Sequence, residues 1–329
     1  MVAVIMLNWN GFKDTNECLD SLSHLICDDY FVVVGDNGST NDSLSHIKNH
    51  CAEQGYKAFV DIPKTSTKAE KRGIYICDLK TNTGFARGNN TLIEMAKVFD
   101  PEYFLLLNND TTVEPDFLKV LIDFHKSHPQ YAYLTPLILY YYERNLVWSA
   151  GGWLHLGFRK GYYCRQDRDA IKERVYKECS FITGCALFFD ANLLNRYERI
   201  LTEDFFYGEE DFELSIRSKR DRIKMACVLN SVVYHKVSAS SRTTPNLSMT
   251  FIHYLNRYID IRRNYNQSFF FIWEKVNNWY LRRLLIRNGS SRAEVDSFMR
   301  KLLGESRRMD KVTKEYFEQT IRKEKRDGE

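Results

Sequence analysis

The chain's strongest constraint lies before Asp110, where short apolar, β-rich runs alternate with segments whose apolar residues recur at helical spacing. The runs are Val2–Leu7, Tyr30–Gly35, Lys57–Asp61, Ile74–Leu79 and Tyr103–Leu107. Between the first two, Cys18, Leu19, Leu22 and Leu25 mark one face of a helix for which Thr15 is the expected N-cap. Ser43–Glu53 and Ala86–Phe99 read as the next two helices. Such alternation is the signature of βαβ units around a largely parallel sheet, so the expected fold class is α/β. The polar run Pro63–Arg72 interrupts it as a solvated loop insertion. After Asp110 the pattern loosens into a helix at Pro115–Ser127, strands around Tyr131–Tyr141 and Phe181–Phe189, and a glycine-containing stretch at Ala150-Gly151-Gly152. From about Thr250 the chain turns helical, basic and aromatic, and it contains no repeat or low-complexity tract.

With 329 residues and 44% hydrophobic content the chain can bury a full core. Its longest apolar stretches, such as Phe269–Trp273, fall far short of the roughly 18 to 20 residues that span a bilayer. Val2–Leu7 follows Met1 with no basic segment and no small-residue cleavage site, so a first strand and a cytoplasmic location are expected. Eight cysteines without a Cys-x-x-Cys pair argue against a structural zinc site and point to buried, reduced thiols. The net charge of +4 conceals an asymmetry: from Lys236 onward it is +9, and before that −5. Two segments with different partners are implied.

In open parallel sheets ligands bind beyond the C-terminal strand ends. The first strand ends in Asn8-Trp9-Asn10-Gly11 and the second in Asp36-Asn37-Gly38-Ser39, which taken alone reads as an ordinary turn. The fourth ends in Thr81-Asn82-Thr83-Gly84-Phe85-Ala86-Arg87-Gly88-Asn89, where glycines and a helix start can bring N–H groups against a phosphate. The fifth ends in Asn108-Asn109-Asp110, oxygen-rich side chains suited to a hard divalent cation.

In this order and register the segments resemble the family 2 glycosyltransferases of GT-A fold, within them the rhamnosyltransferase-like branch of surface polysaccharide synthesis, over Val2 to Ser241. The resemblance implies that Asn8, Asn10 and Asp36 face the nucleotide, with Asp36 accepting from a pyrimidine N3–H. It implies that Asn82, Gly84, Phe85, Gly88 and Asn89 shape the ribose and diphosphate pocket. Asn108-Asn109-Asp110 stands where the family has its Asp-x-Asp metal motif, so Asn108 departs from the pattern and Asp110 is the one charged ligand left in it.

Glu209, Glu210, Asp211 and Glu213 could form a solvated helix face. The flanking aromatics and the Glu-Asp-x-x-Leu-x-x-Arg spacing instead resemble the family's acidic motif, which supplies the catalytic base. Transfer from an anomeric carbon needs an acceptor hydroxyl whose proton leaves as the bond forms. Asp211 is the expected base and Glu210 the second candidate. Thr183-Gly184-Cys185 resembles the strand lining the acceptor pocket. His235 ends an apolar strand before the small-residue loop Val237–Ser241, matching a histidine that approaches the metal or diphosphate in related enzymes.

The basic C-terminal region carries no nucleic-acid module. Phe269, Ile272, Trp273, Val276, Trp279, Tyr280 and Leu284 fall at helical spacing near Lys275, Arg282 and Arg283. The alternatives are a helix packed on the catalytic domain and an interfacial helix at an anionic membrane surface, with Trp273 and Trp279 as anchors. The expected organisation is a catalytic domain over residues 1–245, with a nucleotide-binding half to 110 and an acceptor half from 111, and a helical extension over 246–329. The expected activity is inverting transfer from a UDP- or dTDP-sugar, with Mg2+ or Mn2+, to a glycan or lipid-linked glycan acceptor on the inner face of the plasma membrane. A nucleotidyltransferase is disfavoured because Asn8-Trp9-Asn10-Gly11 offers no basic triphosphate loop; a catalytically silent sugar-nucleotide- or glycan-binding subunit is the other alternative.

Overall fold

The computed structural model describes residues 1–65, 67–237 and 247–327, with side chains to 322. The expected loop at Ser238–Ser241 and the boundary at residue 245 lie outside the described residues.

The first part of the chain runs β1 (Val2–Asn8), α1 (Phe12–Ser23), β2 (Tyr30–Asp36), α2 (Ser43–Glu53), β3 (Ala58–Val60), β4 (Ile74–Asp78), α3 (Phe85–Ala96), β5 (Tyr103–Leu107), β6 (Thr111–Val113) and α4 (Phe117–Ser127). There follow β7 (Tyr131–Tyr140), β8 (Val147–Ser149), β9 (Gly152–His155), β10 (Phe158–Gly161), β11 (Tyr176–Cys179), β12 (Ala186–Asp190), α5 (Leu193–Arg196), α6 (Glu210–Arg220) and β13 (Lys224–His235). Among the described residues four helices follow: α7 (Leu247–Asn264), α8 (Gln267–Arg287), α9 (Arg292–Ser306) and α10 (Lys314–Asp327).

The main sheet has the order β11-β13-β7-β12-β5-β1-β2-β4-β3, with β6 on β13 and β8 on β7. Strands β5, β1, β2, β4 and β3 are mutually parallel, whereas β12 enters antiparallel to β5 and β7. The uninterrupted apolar runs follow from burial on both faces. Ala3 and Ile5 of β1, Phe31 and Val33 of β2, and Phe104 and Leu106 of β5 join one core cluster. Their alternates Val4, Val32 and Leu105 join the other, with α1, α2 and α4.

Three local expectations are corrected. Thr15 is not the cap of α1: Gly11 holds that position, and Thr15 is buried inside the helix, donating to Asn8 Oδ1 at 3.0 Å and to the Gly11 carbonyl at 3.2 Å. The strand at Phe181–Phe189 begins later, at Ala186, because Thr183-Gly184-Cys185 forms the connection that lets the Asn108 N–H reach the Cys185 carbonyl at 2.8 Å. Of the eight cysteines Cys164 is exposed and Cys27 half-buried; the other six are buried, and none forms a disulfide.

The C-terminal helices share a third core with α6: Phe212 and Ile216 pack with Phe251, Leu255, Tyr258, Trp273 and Met299. Among the described residues no helix is long and apolar enough to cross a membrane.

Candidate active site

The C-terminal ends of β1, β2, β4 and β5 meet at one edge of the sheet, joined largely by asparagines. Asn8, fully buried, donates to Asp36 Oδ1 at 2.7 Å and to Ser39 Oγ at 3.2 Å, while its Oδ1 accepts from Thr15 and from the Gly11 N–H. Asn109 brings in the β5 end by donating to Thr15 Oγ1 at 3.0 Å. An amide donates and accepts at once, so it joins strand ends without burying a charge. Asn10, in left-handed backbone with φ 57°, accepts from the Thr40 N–H at 2.8 Å. The expected trio therefore divides. Asn8 is enclosed and acts from behind, positioning Asp36, and Asn10 lies exposed on the turn. Asp36 takes donors from Asn8, Ser39 Oγ and the Ser39 N–H, which leaves about one of its four acceptor positions open, on Oδ2.

Asn37 organises the β4 end. Buried, it accepts from the Thr83 N–H at 3.1 Å and donates to Asn82 Oδ1 at 3.2 Å and to the Gly84 carbonyl at 3.3 Å. Asn82 Oδ1 also accepts from the Gly84 N–H at 2.9 Å. Gly84 has φ 86°, and a Cβ there would come within 2.5 Å of the Phe206 carbonyl oxygen, so a side chain is excluded by conformation and by space. The loop that opens α3 thus touches the loop that leads into α6. Gly88 and Asn89 are both buried: a Cβ on Gly88 would lie 2.7 Å from Leu7, so its small size lets α3 pack onto β1, and Asn89 donates to the Phe85 carbonyl at 2.9 Å inside α3.

Antiparallel pairing of β6 with β13 sets Thr111 opposite His235, which brings Asp110 and His235 together. Asp110 Oδ1 lies 3.1 Å from His235 Nε2. Burial opposes a charged imidazole, but Cys185 and the Asp110 carboxylate prevail, and His235 is held above its ordinary value. In this state the two side chains form an ion pair; with the imidazole proton displaced, two atoms this far apart would suit neighbouring positions on one octahedral hard cation, whose ligands at about 2.1 Å lie about 3 Å from each other. Among the described residues no group of three or more His, Cys, Asp and Glu converges. Asp110 and His235 are thus two such side chains brought together at this point.

Helix α6 begins at Glu210, after Gly208 and Glu209 with φ of 75° and 76°. A left-handed glutamate costs about 1 kcal/mol or more and persists where its surroundings fix it. Arg257 of α7 does so, donating through Nε and Nη2 to the two Glu209 carboxylate oxygens while lying over the Phe212 ring at 3.4 Å. Asn256 adds a bond to the Tyr207 carbonyl at 2.8 Å. The first turn of α6 then presents Glu210 and Asp211 side by side, with Arg159 of β10 at 3.6 Å from Asp211. Burial and then the neighbouring Asp211 push Glu210 up to about 8. Burial also raises Asp211, against the pull of Arg159. Carboxyls lifted toward neutrality suit proton transfer near pH 7.

The Glycosyl transferase family 2 domain matches residues 3–197, more than half of the chain. The chain belongs to this family. Solved structures agree on the fold. TarS residues 1–349 from S. aureus are 15% identical at TM-score 0.56, covering 93% of this chain and 79% of that one. A Pyrobaculum calidifontis mannosyltransferase, solved with GDP-Man and Mn2+, is 14% identical at TM-score 0.56, covering 100% and 88%. GalNAc-T7, solved with UDP, GalNAc and Mn2+, is 13% identical at TM-score 0.61, covering 92% and 54%. No curated protein matches the chain. The protein is a family 2 glycosyltransferase of GT-A fold. Asn37, Arg159 and Arg257 escaped the sequence reading: the first sits inside an ordinary turn signature, and the other two act across long sequence separations that local patterns do not encode.

Proposed function

We propose that this glycosyltransferase moves a sugar, with inversion, from a UDP- or dTDP-sugar to a hydroxyl of a glycan or lipid-linked glycan in cell-surface polysaccharide synthesis, at the inner face of the plasma membrane. The observation that supports the reading is the contact of Gly84 with Phe206, which joins the loop opening α3 to the loop that leads into the acid pair of α6. Similar proteins support the donor class: TarS residues 1–349 were solved with UDP-GlcNAc, and other neighbours with GDP-Man or UDP.

In this reading Asp36 receives the base, Asn82, Gly84 and Phe85 border the ribose and diphosphate, and Asp110 and His235, with Asn108, hold Mg2+ or Mn2+. When bound, the ion neutralises charge developing on the departing diphosphate. Asp211 takes the acceptor hydroxyl's proton, with Glu210 beside it, and Arg159 and the Glu209–Arg257 pair fix the acids in place. Residues 1–245 form the catalytic unit and 246–329 the extension whose α7 holds the acid loop.

A thermal-shift panel of UDP-, dTDP- and GDP-sugars, with and without Mn2+, tests the reading, because a ligand bound by the native state alone raises Tm. A UDP- or dTDP-sugar is expected to raise Tm by several degrees, and more with Mn2+. No shift with any donor would overturn it.

A further inference from the structure

Helix α8 turns one long side away from the protein. Phe271, Ile272, Val276, Trp279 and Tyr280 are 49% to 64% exposed there, although the same helix buries Trp273, Leu281 and Leu285 in the C-terminal core. Trp273, expected from sequence as a surface anchor, is thus a core residue, packed on Tyr258 at 5.0 Å between ring centroids. Ile272, Trp279 and Ile286 recur every seven residues and form the midline of the exposed side. Lys275 flanks it on one side, Arg283 and Arg287 on the other. Lys275 lies over the Phe271 ring and Arg283 over Trp279, each at 4.2 Å, and none of the three cations forms an ion pair among the described residues. The helix contains one acid, Glu274, which is buried and paired with Arg307 at 3.0 Å. Much of the remaining C-terminal positive charge is spent internally, as in Arg257–Glu209, Arg263–Asp204 and Arg282–Asp296.

We propose that this outer side of α8 docks the enzyme on an anionic lipid bilayer, lying in the headgroup plane with Ile272, Trp279 and Ile286 at its deepest line. Charge complementarity selects this occupant. An apolar midline bordered by cations and free of acid matches hydrocarbon beneath a layer of negative headgroups. A second copy of the helix fits less well, since a seam along that midline brings Lys275, Arg282 and Arg283 toward their own counterparts. The hairpin β9–β10 connects this region to the chemistry. Its Gly157 turn abuts Trp273, Phe158 lies 6.2 Å from that ring, and Arg159 reaches Asp211 at 3.6 Å. Docking through the outer side of α8 would therefore leave its Trp273 side, and with it the hairpin that carries Arg159 to Asp211, facing the protein.

The inference goes beyond sugar transfer, and its test needs neither donor nor acceptor, so it fails independently of the assigned reaction. The full chain is sedimented with vesicles of phosphatidylcholine alone or with one third phosphatidylglycerol, at ~0.1 M and ~1 M salt. Partition onto the anionic vesicles is expected to exceed that onto neutral ones by at least about tenfold at the lower salt, and to fall steeply at the higher. Lys275→Glu with Arg283→Glu, and separately Ile272→Ser with Trp279→Ser, should each reduce it about tenfold or more while leaving Tm unchanged. Wild-type protein that stays in the supernatant with every vesicle overturns the proposal. So does unchanged pelleting of both variants, or a stable wild-type dimer that the Ile272→Ser/Trp279→Ser variant converts to monomer.

Discussion

Arg257, on the first helix after the catalytic sheet, closes a buried two-pronged ion pair on Glu209, the residue that immediately precedes the acid pair. Leaving one partner of such a pair alone costs about 3–5 kcal/mol, whereas removing both is far less costly. Arg257→Met should therefore destabilise the protein by about 3 kcal/mol in urea unfolding, and Glu209→Gln with Arg257→Met should recover a large part of that loss. Additive losses in the double variant would show that the two side chains do not act as a pair.

The acid pair predicts a pH dependence. A base must be ionised to accept a proton, and both Glu210, at about 8, and Asp211 are raised by burial. The kcat/KM of transfer should therefore climb as pH rises beyond the ordinary carboxylate range, as Asp211 ionises. A profile flat from pH ~5 to ~9 would separate catalysis from these groups.

In the proposed reading Asp110 and His235 would offer an ion two donors, and the donor diphosphate would supply further ones. Isothermal titration of Mn2+ should show weak binding to the free protein and at least about tenfold tighter binding in the presence of UDP. Asp110→Ala should abolish that difference, and EDTA should stop turnover of the wild type. Full activity in EDTA together with an active Asp110→Ala variant would leave side chains alone to stabilise the diphosphate.

Asp260 of α7 is buried, and burial, with Glu209 and Glu213 nearby, raises it well above its ordinary 3.8. The folded protein thus keeps a proton that the unfolded chain releases. The stability this contributes is fully present below about 3.8 and is lost as pH rises through the raised folded value. Between pH ~5 and ~8 the wild-type Tm should fall by about 2 °C or more beyond any fall in Asp260→Asn. Parallel curves for the two proteins would contradict a raised Asp260.

The parallel half of the fold was legible because burial on both faces of β1, β2 and β5 writes continuous apolar runs into the sequence, and because strand-end residues such as Asp36 and Asp110 stand where those runs stop. Other features were hidden for identifiable reasons. Thr15 looked like a cap because its hydroxyl is of the right type, but Asn8 claims that hydroxyl from another element. Gly88 and Asn89 lie in a segment that resembles a phosphate loop, yet one faces Leu7 and the other bonds inside α3. Trp273 and Trp279, six residues apart, stand about 120° apart around α8, so the expectation of two anchors on one face misread the period, and only Trp279 is exposed. Arg159 and Arg257 reach the acids from a hairpin and a helix distant in sequence from α6, so no local pattern announces them.

The central claim is that Asp211 is the group that removes the acceptor's proton. The most direct measurement compares nucleoside diphosphate release by wild type and Asp211→Asn, with the donor Kd measured in parallel by titration. Loss of a positioned base should lower turnover by roughly 10²-fold or more while the donor Kd stays within about twofold. Near-normal release by Asp211→Asn, with Glu210→Gln inactive at unchanged donor affinity, would contradict the assignment and move the base to Glu210.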